Sequence, residues 1–172
     1  MVTIASSFSS EPVNSLPLPK DNHEFIFCSG AGAWETKLSL NRDGTFEGYY
    51  YDANMGEMAE DYPEGTMMVC SFSGKFSSLG KINDYSYKMI LSNVKTEDPS
   101  GKEWIKDGMR YVASRPYGLE DGKEFVLYLP DTDVSKVSTE FLSWWPYRYD
   151  KDTLSCYGIY NITKGYGFFD AI

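Results

Sequence analysis

From Trp34 onward the chain alternates. Trp34, Thr36, Leu38 and Leu40 fall on one side, while Glu35, Lys37, Ser39 and Asn41 fall on the other. A period of two sends successive side chains to opposite faces, so this run predicts a β-strand with one face on a core and one in water. Asn41-Arg42-Asp43-Gly44 then reverses the chain, its glycine free to take a positive φ, and Phe46, Gly48 and Tyr50 resume on one side. Further on, Met68, Cys70, Phe72, Gly74 and Phe76 share a face, and a turn from Gly80 to Asp84 leads to Tyr85, Tyr87, Met89 and Leu91. Ahead of all these, EFIFCS at residues 24–29 reads as a strand that ends at Gly30-Ala31-Gly32. The pattern predicts a meander of consecutive antiparallel strands.

The second half is less regular. Lys106-Asp107-Gly108 predicts a hairpin between EWI and MRYV, with a short helix over residues 102–106 as the alternative. EFVLYLP reads as a buried strand closed by Pro130. In DTDVSKVSTEFLSWWP, Val134, Val137, Phe141 and Trp144 or Trp145 recur at helical spacing. With Asp131 to Asp133 as capping oxygens and Pro146 as the stop, they predict one helix over about residues 131–145. The last strand, LSCYGIYNIT, sets Leu154, Cys156, Gly158, Tyr160 and Ile162 on one face, and GYGFF extends it or pairs with it. Eight or so short strands and one helix predict a mainly β fold, an antiparallel meander closing into a barrel, because closure removes exposed strand edges. A two-sheet β-sandwich is the alternative. Residues 1–23, with Pro12, Pro17 and Pro19, read as a flexible Ser/Pro lead-in to a single domain over 24–172.

Composition narrows the partners. A formal charge of -9 repels phosphate backbones, so nucleic acid is not expected. No run approaches the roughly 18 apolar residues of a membrane span. The opening MVTIASSFSSEPVNSLPLPK lacks the basic start and apolar segment of a secretory signal. Cys28, Cys70 and Cys156 have no metal-type spacing and read as small hydrophobes. The alternatives are one disulfide with a thiol left over, or a catalytic thiol served by His23, the only histidine.

The stretch DANMGEMAEDYPEG at residues 52–65 is too polar and too broken for a core element and reads as a surface loop. Asp52, Asn54 and Gly56 begin like a calcium loop, but Glu57 and Pro63 stand where that pattern needs glycine and glutamate. Asp52 with Glu57 or Asp61 would be the carboxylate pair of a glycosidase-type site, with a solvated loop as the plainer reading. Tyr49, Tyr50, Tyr51, Tyr62, Trp104, Tyr117, Trp144, Trp145 and Tyr147 invite a sugar- or peptide-binding surface, with core packing as the alternative. Tyr49 and Tyr51 lie opposite Tyr50 in parity, and whichever set points away from the interior is the better ligand surface. Asn161-Ile162-Thr163 matches a glycosylation acceptor and is set aside as chance.

Gly32-Ala33-Trp34 at the start of a strand, followed by a chain of hairpins, resembles the G-x-W opening of lipocalins and the wider calycin barrels. Asn83-Asp84-Tyr85 resembles the lipocalin T-D-Y motif, with Asn83 in the place of threonine and no arginine in the final strands. The resemblance implies a barrel that encloses a small apolar ligand, with the tryptophan packed across one end. A second resemblance covers roughly residues 25 to 162. SGAGAWETKLSLNRDGTFEGYYYDANMGE, YPEGT, CSFSGKF, YGLEDGKEFVLYLP and CYGIYNI are similar to an uncharacterised family of bacterial modules, several predicted secreted or lipid-anchored. It implies work outside the cytosol and no particular activity.

These readings converge on a non-enzymatic, calycin-like barrel that binds a small apolar or aromatic ligand, or a protein partner, at the mouth near loop 52–65. The expected ligand residues are Tyr50, Tyr51, Asp52, Met55, Glu57, Asp61, Tyr62, Trp104 and Tyr117, with no cofactor. The alternatives are a small hydrolase or isomerase using the loop carboxylates, and a surface interaction module with a solid core.

Overall fold

A computed structural model describes residues 9–146 and 151–170. In chain order the strands are β1 (Glu11–Pro12), β2 (His23–Cys28), β3 (Trp34–Leu40), β4 (Thr45–Asn54), β5 (Thr66–Asn83), β6 (Ser86–Thr96), β7 (Glu103–Lys106), β8 (Met109–Ala113), β9 (Glu124–Tyr128), β10 (Gly158–Asn161) and β11 (Tyr166–Asp170). Eight of them close an antiparallel barrel. Around the ring run β2, β3, β4, β5, β6, β9, β10 and β11, and Phe169 opposite Ile26 joins the last strand to the first. Closure rules out the sandwich, which would leave open edges.

The alternation drives this. Thr36, Leu38 and Leu40 are wholly buried on the inner face of β3, and Phe46 and Tyr50 continue that face on β4. Seven phenylalanines (Phe25, Phe27, Phe46, Phe72, Phe76, Phe125 and Phe168) meet inside the ring with leucines and Met89. Each such side chain contributes about 1.5–3 kcal/mol through burial. The lumen is therefore filled with protein, not shaped as a cup for an apolar ligand.

Both ends are stoppered. At the end carrying the Asn41–Gly44 turn, the segment before β2 folds across the opening and buries Leu16 and Leu18 in the barrel core. Arg42 holds it there, donating from Nε to the Leu18 carbonyl at 2.9 Å and from Nη2 to the Pro19 carbonyl at 2.5 Å. Residues 9–22 thus belong to the packed domain, which corrects the lead-in reading of that stretch and the boundary at residue 24. Leu16 and Leu18 alternate over too short a run, set among Pro17 and Pro19, to read as a strand, and the segment contributes only the two-residue strand β1. At the other end Trp34, Tyr117, Trp144 and Tyr166 surround the ring of Phe27.

The predicted helix is shorter than its spacing suggested. A 3-10 turn at Val134–Lys136, capped by Asp133 accepting from the Ser135 amide, is followed by an extended Val137 and then by α1 (Thr139–Ser143). Val137, Phe141 and Trp145 are still buried together, against the outward faces of β9, β10 and β11. Leu154, Cys156 and Tyr160 share that outer layer, so the face read from LSCYGIYNIT is the outer wall of the barrel. Phe141 lies directly over Gly158 and Gly167, where a β-carbon would strike its ring. Tyr147 lies outside the described residues.

The expected hairpin at Asp107-Gly108 is present. Both residues have positive φ, 52° and 77°, which matches the right-handed twist of the strands it joins. Its strands β7 and β8 stand outside the ring, with β8 running parallel to the start of β5.

Candidate ligand groove on the outer wall

The expected ligand residues do not form one site. Tyr50 points inward, is only 8% exposed and packs on Tyr117 at 5.6 Å, so neither lines an open mouth. Burial raises both phenols, Tyr117 to about 12, and the nearby Asp52 and Glu120 charges add to it. Asp52 sits across from Trp34 at the edge of the same stopper. Met55 and Asp61 stand in solvent. Glu57 and Tyr62 are engaged by Arg110, which pairs with the Glu57 carboxylate and lies 5.0 Å from the Tyr62 ring centre. Arg110 Nε also donates to Thr66 Oγ1 at 3.2 Å, and Glu64 N donates to the Gly108 carbonyl at 2.9 Å. The acidic loop is thereby strapped to the β7–β8 hairpin. Of the carboxylates proposed from sequence, Glu57 is tied to arginine and Asp61 stands in solvent. Among the described residues, no three acidic, histidine or cysteine side chains cluster so as to hold a metal.

The thiols offer no nucleophile with a base. All three cysteines are free, which removes the disulfide alternative. Burial pushes Cys70 and Cys156 up to about 11, so both are protonated at neutral pH. His23 Nε2 is occupied by Asp170, whose second oxygen accepts from the Tyr157 amide at 2.9 Å. Cys28 stands at the opposite end of β2 from His23.

Glu120, near the aromatic stopper, is unusual. Its Oε2 is buried without a hydrogen-bond partner. Burial, the largest influence, raises its carboxyl above the ordinary range against the lowering effect of backbone N–H groups, its own among them. A carboxyl raised in the folded state weakens the fold as pH climbs from the unfolded to the folded value, because the unfolded chain gives up its proton first. Glu120→Gln should therefore raise the melting temperature at neutral pH and leave it unchanged at pH below the ordinary carboxylate range. Thermal melts across pH check this; an equal gain at both ends would trace the effect to packing instead.

Among the described residues, a sizeable accessible concavity lies on the outside. One lobe of about 610 Å³ spans the outward faces of β3, β4, β5 and β6, with Lys37, Glu47, Tyr49, Ser73 and Lys95 on its walls. A second lobe of about 300 Å³ lies between β5 and the projecting hairpin, bordered by Trp104, Lys106 and Tyr111. Tyr49, Ser71 and Glu97 line both, so the two lobes adjoin along these residues. Trp104 and Tyr111 are directly paired across the hairpin and stack at 5.5 Å with 11° between their planes. Tyr49 is 41% exposed at the junction, with Tyr51 beside it at 6.5 Å.

Of the ligand residues expected from sequence, Trp104 lines the groove, and Tyr51 stands beside it next to Tyr49. Tyr111 and Ser71 were missed. Counting outward from Asp107-Gly108 places Tyr111 opposite Trp104, so the hairpin turn held the signal for one of them.

Comparison of the chain with protein-family models, with curated proteins and with solved structures gives no match. The fold defines a closed eight-stranded antiparallel barrel. Among the described residues no helix is long and apolar enough to cross a membrane.

Proposed function

We propose that this protein is a non-catalytic binding module that holds its ligand in the groove on the outer wall of a filled barrel. The observation carrying this reading is the adjacency of the two lobes at Tyr49, Ser71 and Glu97, with an aromatic wall supplied by a hairpin outside the ring. Together the lobes fall within the size range of ordinary ligand sites. The sequence-based expectation of a binding barrel is kept, but its site moves from the mouth to the outer face, because aromatic side chains occupy the lumen. The hydrolase or isomerase alternative has less behind it, since Glu57 is bound to Arg110.

Amide shift mapping by NMR tests the location. Titration with a panel of sugars, peptides and apolar small molecules should move the signals of Tyr49, Ser71, Trp104 and Tyr111. Shifts confined to lumen residues such as Phe25 and Phe125, or none from any panel member, would defeat the reading.

A further inference from the structure

We infer that the groove's ligand is a neutral, linear oligosaccharide lying across the strands with a sugar ring over Tyr49; this rests on the outer-groove reading and names its ligand class. Three observations point to it. First, the groove floor is made of strand faces whose backbone groups are already used. β4 pairs with β3 from Trp34↔Asp52 to Leu40↔Phe46, and with β5 from Thr45↔Lys75 to Asn54↔Thr66. A peptide bound by strand addition needs a free edge; the floor has none to give, and the one at the groove's wall is the four-residue β7. Recognition there falls to side chains.

Second, those side chains are complementary to hydroxyl groups. Lys37, Lys95 and Lys106 can only donate hydrogen bonds, Glu47, Glu97 and Asp98 in their ionised form can only accept them, and Ser71 and Ser73 do both. A ligand whose polar groups are each donor and acceptor satisfies such a mixture all along its length. Third, lysines and acids are interspersed in the groove although the chain as a whole carries -9. No single-sign field is presented to attract a polyanion or a polycation. Among the exposed large hydrophobic side chains of the described residues, Tyr49 is the aromatic one, and it lines both lobes. Its phenol is raised by burial and by Tyr111, so it stays a neutral donor beside an apolar face. From Lys37 on β3 across β4, β5 and β8 to Trp104 on β7 the groove spans roughly 19 Å at about 4.8 Å per strand, the reach of a chain and not of a single ring.

The test titrates the labelled protein with cellohexaose, xylohexaose, mannohexaose and maltohexaose, with polygalacturonate as the charged comparator. At least one neutral hexaose should shift the amides of Tyr49, Ser71 and Trp104 with an affinity indifferent to added salt. Tyr49→Ala should weaken that binding about tenfold with only a small change in melting temperature, because the ring is 41% exposed and its main partner would be the ligand. Silence of the groove towards all four neutral glycans overturns the inference, as does salt-sensitive binding of the polyanion alone. If a peptide or an apolar molecule shifts the groove amides and no glycan does, the ligand class is wrong while the outer groove stands. Shifts confined to the lumen remove both.

Discussion

Replacing Phe27 with alanine lowers the unfolding free energy by about 3–5 kcal/mol. The ring is fully buried and touches Trp34 and Trp144 at 4.9 Å, Tyr166 at 5.0 Å, Phe168 at 5.1 Å and Tyr117 at 5.3 Å. It joins the core of the barrel to the aromatic stopper, so its loss leaves a cavity that rigid neighbours on several strands cannot close. For a chain of this length the melting temperature should fall by roughly 10 °C. Near-ultraviolet circular dichroism should lose intensity as the stopper rings become free to reorient. A melting temperature within a degree or two of the parent would show that the two parts do not depend on each other.

The second large effect is local. Phe141→Ala removes the side chain that fastens α1 to the outer wall, where it meets Phe169 at 4.6 Å, Tyr128 at 5.1 Å and Tyr160 at 5.9 Å. A helix of five residues has no stability of its own, so packing supplies what holds it. The expected loss is about 3–5 kcal/mol from the outer layer. In hydrogen exchange, protection should disappear at the amides of Leu142 and Trp145, which bond to Ser138 and Leu142 within the helical region. The ladder between β3 and β4 should keep its protection, because none of its residues belongs to the outer cluster. Equal loss in β3 and β4 would mean that the ring needs its outer layer in order to close.

The two variants separate what alternation reveals from what it hides. Parity along β3, β4 and β5 is readable because each carries one apolar and one polar face, and a one-residue slip would turn Leu38 into water. The turns at Gly44 and Gly108 are readable because glycine or Asp-Gly is needed there. On β9 and β10 both faces are apolar, since Phe125 and Leu127 point into the lumen while Val126 and Tyr128 meet α1. Alternation there distinguishes two sides without saying which is inner. The helical spacing of Val134, Val137, Phe141 and Trp145 is met by a 3-10 turn, an extended residue and one short helix, because only the burial of those positions is required. Leu16 and Leu18 stand two residues apart, too short a run among prolines to carry a signal.

For the site, parity separated Tyr49 and Tyr51 from Tyr50, and the structure places the first two outside. Which face was outer depended on the closure of the ring, a long-range property. The pinning of Glu57 was equally hidden, because Arg110 reaches it from a hairpin far along the chain. Tyr117 looks like a ligand aromatic from composition, yet it packs with Trp34 in the stopper, 4.9 Å apart.

One consequence follows from the pairing of Ile26 with Phe169. The ribosome releases β2 among the first strands and β11 among the last, so throughout synthesis the nascent meander carries a bare aromatic edge with its partner still unmade. Sealing by such distant segments makes for slow maturation and a window for self-association. Chaperone supply during translation, more than the stability of the finished molecule, should then govern how much of this protein a cell accumulates.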